Sequence, residues 1–203
     1  MRVTETFVSL QGEGKNQGKP CFFVRLSGCN LRCSWCDTEY SFEAGTERSA
    51  EDIAEEIAAS GVRLVCITGG EPLLQKKELL PLLEALYQAD IETDIETNGT
   101  ISFDDCQPFA SVCMDVKCPS SGTTSDLALL SSLTEKDCVK FVIGDEADYI
   151  YMVSVLAAYK NIPAEIVITP VYGTDTKWLV DTIIKERLPV RFQIQLHKLE
   201  NIQ

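Results

Sequence analysis

Short segments rich in Val, Ile and Phe alternate along this chain with stretches of helical period, a pattern that commits it to successive βα units around a parallel sheet. Strands are expected over Cys21–Leu26, Leu64–Thr68, Ile91–Glu96, Val112–Val116, Cys138–Ile143, Glu165–Thr169 and Arg191–Leu196. Helices fall between them. The clearest starts after Ser49, a good N-cap, buries Ile53 and Ile57, and stops at Gly61. Others are expected over Gln75–Gln88, Asp126–Leu133, Glu146–Lys160 and Thr176–Arg187, with Pro163 and Pro189 just beyond helix ends. A complete eightfold βα barrel takes about 250 residues, and this chain has too few units to close one. The expected fold is therefore α/β, an open, partial βα barrel in a single domain over residues 1–203. A doubly wound sheet is the alternative, but the first βα turn, Ser27–Thr38 (SGCNLRCSWCDT), carries no dinucleotide fingerprint. In either architecture the chemistry belongs at the C-terminal ends of the strands.

Charge narrows the partners. The 18 Lys and Arg against 31 Asp and Glu leave a net charge of −13, so the chain lacks the positive field that draws proteins to phosphate backbones or anionic lipid. No nucleic acid or membrane partner is expected. The first ten residues (MRVTETFVSL) have neither the basic start nor the apolar stretch of a secretory signal. No apolar run approaches the roughly 18–20 residues that span a bilayer. A cytoplasmic location follows as the expectation, with the nine cysteines reduced. Reduced cysteines are core hydrophobes or metal ligands, and spacing separates the two.

Cys29, Cys33 and Cys36 form a C-x3-C-x2-C loop just after an expected strand. Core cysteines would not crowd into a loop that also holds Asn30 and Arg32, so a metal centre is indicated. Zinc and an iron–sulfur cluster are the two candidates for such soft ligands. Structural zinc usually takes four ligands in two separated pairs, whereas three cysteines suit a four-iron cluster with one iron left open. The remaining six cysteines are scattered; Cys66, Cys113 and Cys138 lie in expected strands and read as core.

With Trp35 just before its last cysteine, the loop resembles that of the radical S-adenosylmethionine superfamily. A second superfamily feature closes the next expected strand: Thr68-Gly-Gly-Glu-Pro72, a turn whose glycines admit a ligand close to backbone and whose carbonyls and carboxylate suit an ammonium group. Further motifs follow in order. They are Ser9–Gly14 (SLQGEG), Gly18 and Pro20, Phe23–Leu26 (FVRL), Thr68–Gln75 (TGGEPLLQ), Glu96–Thr100 (ETNGT), Asp115–Gly122 (DVKCPSSG) and Gln195–Lys198 (QLHK). This ordered set, running over nearly the whole chain, resembles the 7-carboxy-7-deazaguanine synthase family.

The resemblance implies that Cys29, Cys33 and Cys36 hold a 4Fe-4S cluster whose open iron chelates S-adenosylmethionine. It implies that Trp35, Asp37, Gly70, Glu71, Asp115, Val116 and Lys117 line the rest of that cofactor. Where some relatives have Ser-Pro-Lys, Asp115-Val116-Lys117 keeps the lysine and offers an aspartate suited to a ribose hydroxyl. Thr38 matches a magnesium ligand, which is chemically acceptable because Mg2+ keeps waters and takes few protein ligands. Leu10, Gln11, Gly12, Glu13, Arg25, Thr68 and His197 match substrate positions, and Gln203 stands where relatives bring the terminal carboxylate to the substrate. Arg25 is informative by itself: an Arg on an apolar strand is costly unless it faces an anion.

The implied reaction is radical ring contraction of 6-carboxy-5,6,7,8-tetrahydropterin to 7-carboxy-7-deazaguanine with loss of ammonia, in 7-deazapurine (queuosine or archaeosine) biosynthesis. An external electron donor such as flavodoxin or ferredoxin and a homodimer are implied with it. Residues 1–40 carry a net charge of +1 and the remainder −14, so the acidity spares the segment that such a donor would approach. Two rivals are a glycyl-radical enzyme activase, which needs a groove for a protein substrate, and a zinc-binding interaction module.

Overall fold

In the computed structural model, which describes all residues except Ala44 and residues 201–203, nine strands form one open sheet in the order β3-β1-β2-β4-β5-β6-β7-β8-β9. The strands are β1 (Arg2–Leu10), β2 (Pro20–Leu26), β3 (Thr46–Glu47), β4 (Leu64–Gly69), β5 (Glu92–Thr97), β6 (Ser111–Val116), β7 (Cys138–Ile143), β8 (Glu165–Pro170) and β9 (Arg191–Phe192). From β2 to β9 every neighbouring pair is parallel, while β1 pairs antiparallel with both β2 and β3. The helices are α1 (Ala50–Ser60), α2 (Lys76–Gln88), α3 (Glu146–Ala158), α4 (Lys177–Glu186) and α5 (Leu196–Glu200). The open, partial βα barrel expected from the sequence is what forms.

Strand parity divides the protein into two layers, because successive side chains point to opposite faces. Outward residues Val24, Ile67, Ile95, Met114, Phe141 and Ile168 are fully buried in one apolar cluster with Ile53 and Ile57 of α1 and Leu79, Leu82 and Leu83 of α2. The inward residues are apolar at the lower ends of the strands, where Cys21, Phe23, Leu64 and Cys66 pack together, and polar above them. Register sets Arg25 beside Thr68, Glu96 beside Cys113, and Asp115 beside Lys140. One face thus supplies the core and the other a polar interior.

Helix ends follow the local sequence. Ser49 caps α1 by accepting from the Asp52 N–H at 3.0 Å, and Gly61 ends it with φ 70°. Pro81 inside α2 is exposed, so water can reach the carbonyl it leaves unbonded. Four expectations need correction. The segment Asp126–Leu133 is a 3-10 helix over Leu127–Ser132, and α2 is preceded by another 3-10 turn over Pro72–Gln75. Only Arg191–Phe192 of Arg191–Leu196 pairs as strand; the chain then turns into α5. Strands β1 and β3 were not foreseen. β1 carries polar residues on both faces, since Thr6 bonds Glu56 of α1 at 2.7 Å while Glu5 faces Arg25 of β2.

The loop after β1 closes the bottom of the open sheet. Gly14 exchanges hydrogen bonds with the Gln193 side chain, donating at 3.0 Å and accepting at 2.7 Å. Asn16 donates to Asp94 of β5 at 2.7 Å, and Lys15 reaches carbonyls at 135 and 136 just before β7. A loop therefore bridges β5 to β9 where no strand pairing does.

Candidate active site

Above that loop lies a cavity of about 600 Å³, open at the C-terminal ends of the parallel strands. Its lining gathers most residues expected at the site: Leu10, Gln11, Glu13, Arg25, Cys29, Trp35, Cys33, Cys36, Asp37, Thr38, Thr68, Gly70, Asp115, Lys117 and His197. Three expected residues do not line it. Val116 points outward into the apolar core, as its parity in β6 demands. Gly12 lies beneath His197, where any Cβ would collide with the imidazole ring, so only glycine lets that ring pack. Glu71 is turned into the protein. Gln203 falls outside the described residues.

The cysteine loop forms the cavity mouth. Cys29, Cys33 and Cys36 are partly exposed, whereas the other six cysteines are buried. Burial pushes the thiols of Cys21, Cys66 and Cys118 up, so they stay protonated and inert. At the mouth, the Leu31 N–H donates to Cys29 Sγ at 3.4 Å, and Thr123 Oγ1 lies 3.4 Å from Cys33 Sγ. Three partly exposed thiols on one short loop suit a 4Fe-4S cluster, which binds each cysteine through a different iron and leaves one iron open.

The loop is clasped from two sides. Asn98, after β5, donates to Asn30 at 2.9 Å and approaches Cys29 Sγ at 3.9 Å. The segment after β6 accepts the Ser34 N–H at the Ser121 carbonyl (2.9 Å) and the Trp35 indole N–H at Ser120 (3.2 Å). Ser120 in turn donates to buried Asp148 at 2.5 Å. Lys117 lies 5.4 Å from the Trp35 ring. Gly70 packs so tightly on Gly28 and Cys29 that a side chain there would strike the cluster loop.

Glu71, fully buried, accepts from the N–H groups of Leu73 (2.9 Å) and Asn98 (2.7 Å) and from the Thr97 hydroxyl (3.0 Å). It braces the turn and Asn98 rather than facing the cavity. Burial pushes its carboxyl up despite those donors.

Deeper, the charges pair across the interior. Lys140 of β7 forms an ion pair with Glu13 and lies 3.7 Å from Asp115 Oδ2, which Lys117 contacts at 2.8 Å. Burial opposes ionisation of Asp115 and Glu13, but the lysine charges outweigh it and hold both carboxyls below their ordinary values. Asp115 Oδ1 is buried without a hydrogen-bond partner, an acceptor suited to a ligand hydroxyl. Burial instead pushes Glu96 up, and it receives Gln11 Nε2 at 3.3 Å and Thr68 Oγ1 at 3.2 Å. Arg25 is not orphaned: its Nε donates to Glu5 at 2.8 Å, and its guanidinium lies over Phe7 and Tyr40. At the rim Lys198 Nζ meets Asp37 at 2.7 Å, His197 Nε2 stands 3.9 Å from the same carboxylate, and Thr38 donates to it at 2.9 Å.

Glu96, Asn98, Lys140 and Gln195 are the site residues that sequence reasoning left without a role. Lys140 had the signal that exposed Arg25, a cation in an otherwise apolar strand (CVKFVI). Glu96 and Asn98 lay inside a recognised motif, and Gln195 inside another.

A family model of the Radical SAM superfamily matches residues 23–115, the span from β2 through Asp115. A 7-carboxy-7-deazaguanine synthase of Methanospirillum hungatei is 47% identical over 198 residues, covering 98% of this chain and 84% of that protein. One of Thermoplasma acidophilum is 36% identical, covering 98% and 96%. Among solved structures, QueE from Escherichia coli superposes with a TM-score of 0.80 at 29% identity, covering 97% of this chain and 94% of that one. Streptococcus suis SuiB, at 16% identity and TM-score 0.65, shares the fold alone. Likeness of this extent along almost the whole length, over a cysteine-mouthed cavity, makes the chain a member of the 7-carboxy-7-deazaguanine synthase family within the Radical SAM superfamily.

Proposed function

We propose that this chain converts 6-carboxy-5,6,7,8-tetrahydropterin into 7-carboxy-7-deazaguanine, contracting the ring and releasing ammonia. The observation that carries the reading is the polar interior directly beneath the cysteine loop, where Gln11, Glu13, Arg25, Thr68 and Glu96 converge. When bound, the 4Fe-4S cluster and S-adenosylmethionine supply the 5′-deoxyadenosyl radical that takes hydrogen from C6 of the pterin. The protein's own residues bind, orient and exclude.

Glu13 accepts the amino and ring N–H groups of the pyrimidine edge, and Gln11 adds a side-chain amide beside it. Arg25, held by Glu5 and flanked by Phe7 and Tyr40, pairs with the substrate carboxylate. Asp115 Oδ1 takes a ribose hydroxyl, and Trp35 with Lys117 flanks the rest of the nucleoside. The Thr38 hydroxyl, which lines the cavity, would ligate Mg2+ together with substrate oxygens. His197 packs on Gly12 and covers the pocket from α5.

A cavity of about 600 Å³ falls in the range of small-molecule sites and is floored by the loop after β1, which disfavours an activase acting on a protein. The exposed Arg32 at the mouth, 4.1 Å from the Phe42 ring, offers a cation to an acidic electron donor such as flavodoxin or ferredoxin. Free cysteines throughout support a cytoplasmic setting, and no helix of the described residues is long and apolar enough to cross a membrane. A homodimer is carried over from the family likeness, and sedimentation of the purified protein tests it.

The test is anaerobic incubation of the reconstituted protein with the pterin, S-adenosylmethionine and a reductant. The deazaguanine product is expected. Cleavage of S-adenosylmethionine without that product overturns the substrate assignment. Cys33→Ala is expected to abolish both activities and to lower the iron and sulfide content.

A further inference from the structure

Glu13, Glu96 and Asp115 line the cavity together, and the structure treats them differently. Asp115 has its own cation in Lys117 at 2.8 Å. Among the described residues Glu96 receives neutral donors alone, from Gln11 and Thr68. Glu13 has Lys140 on Oε2 and Gln195 Nε2 on Oε1 at 2.5 Å. Lys140 is itself buried, in the middle of a strand whose every residue is buried. A buried lysine is expensive, and a packed β7 did not require one.

We propose that Lys140 is a positioning residue that holds Glu13 as an ionised two-oxygen acceptor, and thereby sets the pocket's preference for a 2-amino-4-oxo pyrimidine. The inference deepens the substrate reading above and rests on it. Each carboxylate oxygen has two lone-pair positions, so after Lys140 and Gln195 have taken one each, one on each oxygen remains for ligand. The amino group and ring N–H of such a pyrimidine are two parallel donors that match that pair. A protonated Glu13 would present one donor and fewer acceptors, and would reject this edge. The groups facing Glu13 are Lys140 from β7, Glu96 from β5, Asp115 and Cys113 from β6, and His197 from α5. Burial drives Glu13 towards its neutral form, and Lys140 is the chief group that opposes it. With Glu96 pushed up, one acceptor and one potential donor stand side by side.

The experiment compares the wild-type holoenzyme with Lys140→Met and Glu13→Gln, reading the KM for the pterin across pH and the infrared bands of the carboxyl groups. Lys140→Met is expected to raise KM at neutral pH by about ten- to a hundredfold, the worth of a hydrogen bond to a charged group. That increase should shrink as pH rises and Glu13 ionises unaided. Glu13→Gln should raise KM equally at every pH. A KM for Lys140→Met that is unchanged, or raised equally at all pH, overturns the inference. If Lys140→Met does not fold, the wild-type-minus-Glu13→Gln infrared difference decides: an ionised carboxylate at neutral pH supports the role, and a protonated carboxyl overturns it. A wild type that turns over no pterin overturns the substrate reading instead, which is distinguishable because the failure then lies in the wild type.

Discussion

Replacing Glu71 by Gln separates two accounts of the glycine-rich turn. Both carboxylate oxygens accept a backbone N–H, Oε1 from Leu73 at 2.9 Å and Oε2 from Asn98 at 2.7 Å, and the side chain is fully buried. A glutamine amide has one acceptor oxygen. In either orientation its NH2 faces one of those N–H groups and leaves a buried donor without a partner, at a cost of about 1–3 kcal/mol. The variant is also relieved of burying a charge, since burial already pushes the Glu71 carboxyl up. Taking about 2 kcal/mol, a chain of this size should lose about 4–8 °C in Tm. Asn98 would loosen with it, and through Asn30 the cysteine loop, so iron content after reconstitution should fall as well. Thermal melts, iron analysis and S-adenosylmethionine titration on Glu71→Gln check this together. A variant that melts with the wild type, keeps its iron and yet binds S-adenosylmethionine weakly would show that Glu71 faces the cofactor and refute the bracing role.

Two further outcomes are expected. Gly12→Ala places a methyl group against the His197 ring, so pterin turnover should fall while S-adenosylmethionine binding is kept; equal loss of both would contradict the packing. Glu56→Gln removes an acceptor of Thr6 and Arg48 that ties β1 to α1. Burial opposes its ionisation slightly, but those partners hold its carboxyl below the ordinary 4.5, so the stabilisation is present above that pH and lost as pH falls through the lower folded value. The pair is partly exposed, so the difference from wild type should be under about 1 kcal/mol at neutral pH and should vanish in acid. A difference that grows in acid would reverse the assigned sign.

What was legible and what was not divides along the chain by locality. The helix over Ala50–Ser60 was readable because its cap, its buried pair and its terminal glycine all lie within thirteen residues. β1 was not readable, because its polar residues answer to Glu56 and Arg25, which are far away in sequence. The stretch after Phe192 has the composition of a strand, but the loop after β1 takes its hydrogen bonds: Gly14 engages Gln193, and the Gly12 carbonyl accepts from Leu196. Propensity yields to such partners. Arg25 was recognised as a cation needing an anion, but the anion nearest it, Glu5, lies on a strand that had not been foreseen.

By itself the sequence determined the alternation of strands and helices along most of the chain, and the three-thiol loop, whose ligands are set by spacing along one short segment. Those are local properties, and periodicity carries them. Only the tertiary structure decided that Lys140 serves Glu13, that Asp115 is neutralised by two lysines, and that Glu71 braces a turn. Glu13 and Lys140 are 127 residues apart. Which charge meets which depends on strand order and on a loop crossing beneath the sheet, and in a buried interior that meeting decides which carboxyl stays ionised.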